Sequence, residues 1–91
     1  MKKVLFVATV VKTHIMEFHI PYLKMFKETG WKTAVAARND YENPDDCMIP
    51  YCDTYYNVPF ERNPLNPGNL KAYKELKHII DEGEYDIIHC H

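Results

Sequence analysis

The segment Lys3-Val4-Leu5-Phe6-Val7-Ala8 is apolar without a break after its lysine and is rich in β-branched residues. A strand with one wet face alternates apolar and polar side chains, so an unbroken run of this kind suits a strand covered on both faces. Strands of that type belong to parallel sheets with helices packed on each side. A second short run, Asp86-Ile87-Ile88-His89-Cys90-His91, reads as another buried strand and delivers two histidines to its carboxyl end.

Between these runs the pattern changes period. Ile15, Phe18, Tyr22, Met25 and Phe26 fall at helical spacing from about Ile15 onward, and Gly30 supplies a left-handed stop. Pro21 predicts a bend or loosening of that helix. Trp31 to Ala37 is a second strand, Asn39 to Asp53 a long polar connection, and Thr54 to Pro59 a short third strand. Asn66 is placed to cap a second helix with Pro67 at its first position. This helix runs to about Glu82 with Leu70, Tyr73, Leu76 and Ile80 as its apolar face, and Gly83 ends it. The order is strand, helix, strand, strand, helix, strand. It predicts an α/β fold: a Rossmann-like open parallel sheet of about four strands, with helices on its faces and right-handed crossovers.

In such a sheet every carboxyl end lies on one edge, and ligands bind in the crevice outside it. Thr9, Lys12, Thr13 and His14 follow the first strand, Arg38, Asn39 and Asp40 the second, Glu61 and Arg62 the third, and His89 and His91 the fourth. His89 and His91 are two apart, so in a strand they share a face. Histidine titrates near neutrality and can accept a proton from a hydroxyl, which suits activation of an acceptor. The same pair also fits two metal ligands, a hydrogen-bonding ledge, or plain polar strand-end residues.

A metal site needs further ligands. His14 and His19 are five apart, about 140° around a helix, which is poor zinc geometry, and no metal is expected. The glycines are Gly30, Gly68 and Gly83, so neither G-x-G-x-x-G nor a P-loop exists in the first strand-to-helix turn. Asp40 is therefore better explained as a turn residue than as a dinucleotide ribose contact. The turn can still hold an anionic or hydroxylated ligand through helix-terminal N–H groups and Lys12. Arg62 can clamp a phosphate or carboxylate, or pair with Glu61 or Asp53.

Composition narrows the partners. Hydrophobic residues at 46% and charged residues at 26% place the 91-residue chain among ordinary globular domains. A net charge of −2 gives no global field that gathers nucleic acid. The apolar start breaks at Thr9 and Lys12 with no cleavage pattern after it, and no stretch reaches the roughly 18 apolar residues of a membrane helix. A cytoplasmic location follows, with peripheral contact at the inner face of the cell membrane as a further option. Lys71, Lys74 and His78 share a helix face open to an anionic surface, although a solvated face is the simpler explanation. Cys47, Cys52 and Cys90 form no C-x-x-C pair and are expected as reduced thiols.

Three stretches together carry a family resemblance. They are Lys2 to Thr9 with His14-Ile15 and Phe18-His19-Ile20-Pro21-Tyr22-Leu23; Phe60-Glu61-Arg62-Asn63-Pro64 with Asn69-Leu70-Lys71-Ala72-Tyr73; and Tyr85 to His91. The chain resembles the N-terminal part of a family 4 glycosyltransferase of the GT-B fold, of the bacterial capsule and exopolysaccharide type. The resemblance implies that residues 1–91 are a partial acceptor-side domain without the second domain. It implies a retaining, hexosyltransferase-type enzyme that moves a sugar from a nucleotide-sugar co-substrate to a glycan or lipid-linked acceptor, with no other cofactor. On it, His91 matches the family's active-site histidine, and the turn around His14 matches acceptor and donor-phosphate contacts, although the glycine pair frequent in that turn is absent. Thr9, Lys12, Thr13, His14, Arg62 and His89 are the expected substrate contacts. The fragment alone is expected to be inactive, and its uncovered last strand to favour self-association. The alternative from another class is a non-catalytic α/β module that binds a glycan or a partner.

Overall fold

The computed structural model describes residues 2–61, 63 and 65–90. Strands β1 (Lys3–Val10), β2 (Lys32–Arg38), β3 (Thr54–Asn57) and β4 (Ile87–Cys90) form one parallel sheet in the order β3-β2-β1-β4. The expected α/β architecture is therefore present, and every carboxyl end lies on one edge. β1 is an inner strand, with Val4, Leu5 and Phe6 at most 1% exposed. Its side chains divide between two cores. Val4, Phe6 and Ala8 join Val35 and Ala37 beneath the first helical segment, while Leu5 joins Ala34, Ala36, Val58, Phe60 and Ala72 beneath the second.

The first helical segment departs from the expected one. No loop separates it from β1: the chain turns helical at Val11, runs in π form to His19, and continues as α1 (Ile20–Glu28). Pro21 has no N–H to give to a carbonyl of the preceding turn, and the change from π to α form falls one residue before it. The expected face is also altered. Phe18, Tyr22 and Met25 are half exposed, whereas Val11, Ile15, His19 and Leu23 are buried, four residues apart throughout. A 3.6-residue repeat overshoots by about 40° at each four-residue step, but the wider π turns keep that series on the sheet.

The end of α1 follows its sequence signal. Gly30 adopts φ +89°, the Trp31 N–H reaches the Phe26 carbonyl at 3.0 Å and the Gly30 N–H reaches that of Lys27 at 3.2 Å. This is a Schellman stop, and the accompanying apolar contact is Trp31 edge-on to Phe26 at 4.9 Å.

The second helix, α2 (Gly68–Gly83), begins where expected, and the Asn66 side chain accepts the Gly68 N–H at 2.8 Å. Its buried positions are Asn69 and Ala72, with Leu76, Ile79 and Ile80 partly buried, while Leu70 and Tyr73 are exposed. The expected period holds, but the face is rotated because a polar residue, Asn69, takes an inward position. Gly83 is not the left-handed residue. Glu84 is, at φ 52° and ψ 51°, while Gly83 stays helical and is glycine for another reason, since a Cβ there would fall 2.2 Å from the Tyr85 ring. The third strand is shorter than expected, ending at Asn57.

β4 is not the buried strand that its apolar run suggests but the uncovered last strand that the resemblance implies. Among the described residues it pairs with β1, from Val4↔Ile87 to Val7↔Cys90, and all four of its residues are exposed. Ile87 and Ile88 are thus an uncovered apolar pair on an edge strand.

At the opposite edge of the sheet Asp53 ties β3 to β2. Its carboxylate accepts the Thr33 N–H at 2.9 Å and a hydrogen bond from the Lys27 ammonium. These donors, the Lys27 contact foremost, hold the Asp53 carboxyl below its ordinary range. A depressed folded pKa gives stability that is present above the unfolded value, about 4, and is lost as pH falls through the folded one. Asp53→Asn should lower the denaturation midpoint at pH 7 and flatten the acid side of the stability profile measured by urea titration. Gly83→Ala should cost about 1–3 kcal/mol through the Tyr85 clash, whereas Glu84→Gly should stabilise by up to about 1 kcal/mol. Thermal unfolding of the two variants should therefore shift in opposite directions.

Candidate functional site

The carboxyl edge brings the chemistry-bearing residues together in two groups rather than one crevice. On the α2 side, Thr9, Glu61, Asn69, Tyr73 and Cys90 line a cavity of about 250 Å³, floored by Val7, Ala8, Phe60 and Leu76. On the other side of the sheet the His89 ring packs 5.3 Å from Phe6 and 5.3 Å from His19. Period-two alternation explains the split: Phe6 and His89 are register partners facing the first helix, and Val7 and Cys90 are partners facing α2. Thr9 and His89 are therefore on opposite faces. Arg62 and His91, both expected site residues, lie outside the described residues.

Lys12, Thr13 and His14 belong to the first turns of the helical segment, not to a connecting loop. Its N-cap position is Val10, which has no side-chain oxygen. Asp40 supplies the missing acceptor from the end of β2, taking the Lys12 N–H at 2.6 Å and, weakly, the Thr13 hydroxyl at 3.4 Å. A helix N-terminus favours an anion, and here the chain places its own carboxylate there. Lys12 extends its ammonium over the Tyr41 ring at 5.8 Å. Any anionic ligand at this helix end competes with Asp40, a role that a turn residue does not have. The signal was present in the sequence: an acid at the end of the neighbouring strand, and no capping residue before Val11.

The loop after β3 is held from inside. Buried Asn69 accepts the Glu61 N–H at 2.8 Å and donates to the Asn63 carbonyl at 2.9 Å. Glu61 in turn pairs with Arg38 at 3.6 Å across the ends of β2 and β3. Asn69 was hidden from an apolar-periodicity reading because its amide, not a hydrocarbon, fills the inward position.

The described cysteines differ in setting. Burial raises the Cys47 thiol, and it pushes Cys52 up to about 11, so neither forms a thiolate near neutrality. Cys90 is exposed at the cavity. Among the described residues no three His, Cys, Asp or Glu side chains form a metal-holding group, and no helix is long and apolar enough to cross a membrane. A larger hollow of about 480 Å³ runs between β3 and α2, lined by Val58, Lys71, Lys74 and His78 among others, but it lies along the flank of the sheet rather than over the β1 and β4 ends.

The family model described as "Glycosyl transferase 4-like" matches residues 3–91. The chain belongs to this glycosyltransferase family. It is 46% identical over 90 residues to a Bacillus subtilis (strain 168) protein named "Putative glycosyltransferase EpsD", an alignment covering 99% of this chain and 22% of that protein. The chain thus spans about a fifth of the length of that relative. No solved structure matches. The matched residues form the four-stranded parallel sheet, with the smaller cavity at its carboxyl edge.

Two substitutions probe how this edge is held. Asp40→Ala should cost about 0.5–2 kcal/mol in chemical denaturation by uncapping the first helix. Asn69→Ala should cost about 1–3 kcal/mol, because it strands the Glu61 N–H and the Asn63 carbonyl. Faster hydrogen exchange confined to residues 60–66 would mark the loosened loop.

Proposed function

We propose that this chain is part of the acceptor-side domain of a retaining glycosyltransferase that moves a sugar from a nucleotide-sugar donor to a glycan or lipid-linked acceptor in surface polysaccharide synthesis. The observation that carries the reading is the family match across residues 3–91, on a sheet whose carboxyl edge opens into a polar-rimmed cavity. The relative named EpsD supports the exopolysaccharide setting. The acceptor is assigned to the carboxyl edge, its body against the cavity where Thr9 and Glu61 offer hydrogen-bonding groups and Tyr73 an aromatic surface of the kind that packs against a sugar ring, and its reacting hydroxyl beyond the strand ends. His91 is assigned to the reacting centre, where its imidazole accepts the proton of the acceptor hydroxyl. Lys12, Thr13, His14 and Arg62 are assigned to polar contacts with substrate, and the donor nucleotide to a second domain. No metal or further cofactor enters this scheme, and the enzyme is assigned to the cytoplasm, with peripheral contact at the inner face of the cell membrane as an option.

The test uses the full-length protein with a panel of nucleotide sugars. His91→Ala should lower transfer by about 10²–10⁴-fold while leaving the fold intact by circular dichroism. Wild-type transfer in that variant would remove His91 from the reaction. The anomeric configuration of the product, read by NMR, decides between retention and inversion.

A further inference from the structure

The rings of Phe6, His19, Tyr22 and His89 meet on the face covered by the first helix. His19 is only 4% exposed, and its ring lies 5.6 Å from Phe6, 6.5 Å from Tyr22 and 5.3 Å, edge-on, from His89. His89 also approaches Tyr22 at 6.3 Å. This cluster joins two elements that have little else in common, the junction of the π and α segments and the edge strand β4. β4 is four residues long and, among the described residues, pairs with β1. Its carboxyl end leads to His91, so a contact that fixes that end also bears on the residue after it.

We propose that His19 is a positioning residue: with Tyr22 it holds the His89 ring against Phe6 and so fixes the carboxyl end of β4. The inference rests on the reading of that strand end as the reacting centre. The π form of Val11–His19 is what makes the contact available. Had the segment continued in α form from Val11, three four-residue steps would have carried Leu23 about 120° from the line of Val11, and His19 about 80°. The wide turns instead keep Val11, Ile15, His19 and Leu23 on the sheet, with His19 at the level of His89. π-Helical turns recur at functional sites because they re-aim a side chain at the cost of regular geometry. The clamp works through ring packing and needs no charge on either histidine.

Hydrogen-exchange mass spectrometry and transfer kinetics on the full-length protein test this with His19→Ala, His19→Phe and Tyr22→Ala. Loss of the His19 ring should speed exchange of residues 87–90 roughly two- to tenfold, leave residues 32–38 unchanged, and lower kcat more than it raises KM. His19→Phe keeps a ring and should restore both. Unchanged exchange over 87–90 in His19→Ala, or no rescue by His19→Phe, overturns the clamp. Should His19→Ala fail to fold, Tyr22→Ala decides, because Tyr22 is half exposed; unchanged exchange over 87–90 there also overturns the clamp. Faster exchange with undiminished transfer overturns the positioning role if His91→Ala is inactive. If His91→Ala is fully active as well, the reading of the strand end as the reacting centre fails instead.

Discussion

Parallel pairing of β1 on both of its sides is the constraint on which the rest depends. It places Val4, Leu5 and Phe6 between two layers, and the alternation of their side chains decides which helix covers which face. Because β2 and β4 run parallel to β1, the chain must cross over the sheet between strands, and the two helices are those crossovers. Every carboxyl end then points the same way without any further signal. The site edge is in this sense a consequence of the apolar run from Val4 to Ala8, long before any polar residue is considered.

The direct passage from β1 into a helix has a cost and a remedy. With no loop between Val10 and Val11 there is no residue to cap the new helix, and its first N–H groups are left without acceptors. Asp40 resolves this from the adjacent strand, which ties the start of the first helix to the end of β2. Asn69 performs the corresponding task on the other face, tying the loop after β3 to the start of α2. Both devices lie at the carboxyl edge, where the backbone leaves the sheet and its polar groups lose their ladder partners. The edge that collects candidate site residues is also the edge that most needs internal polar restraint, so the same residue types serve both ends.

Element types and their order were legible in the sequence because they rest on period and punctuation. The first strand, the Schellman stop at Gly30 and the cap at Asn66 each depend on chemistry within a few residues. The parts that were not legible depend on partners distant in the chain. A π segment cannot be told from an α segment by apolar spacing at 3.6, so that spacing puts Phe18 and Tyr22 inward, whereas the buried position is that of His19. Gly83 looked like a left-handed stop because glycine usually is one, yet here its missing Cβ makes room for Tyr85 and Glu84 takes the strained angle. The two isoleucines of β4 read as buried because apolar pairs in strands usually are, yet among the described residues nothing covers them and they are about 40% exposed.

Strand alternation gives the end of β4 two separate functions. Cys90 faces the cavity with Thr9, while His89 faces the ring cluster with Phe6 and His19. A register slip of one residue would exchange them, turning the imidazole into the cavity and the thiol toward the rings. The four-pair ladder to β1 resists that slip through its backbone hydrogen bonds and through the Asp86 carboxylate, which accepts the Lys3 N–H at 2.8 Å. Side-chain shape adds to the discrimination, because the rings of Phe6, His19 and Tyr22 pack against a flat ring at position 89. The clamp on His89 thus acts on register as well as on position, which links the unusual helix at one end of the chain to the chemistry proposed at the other.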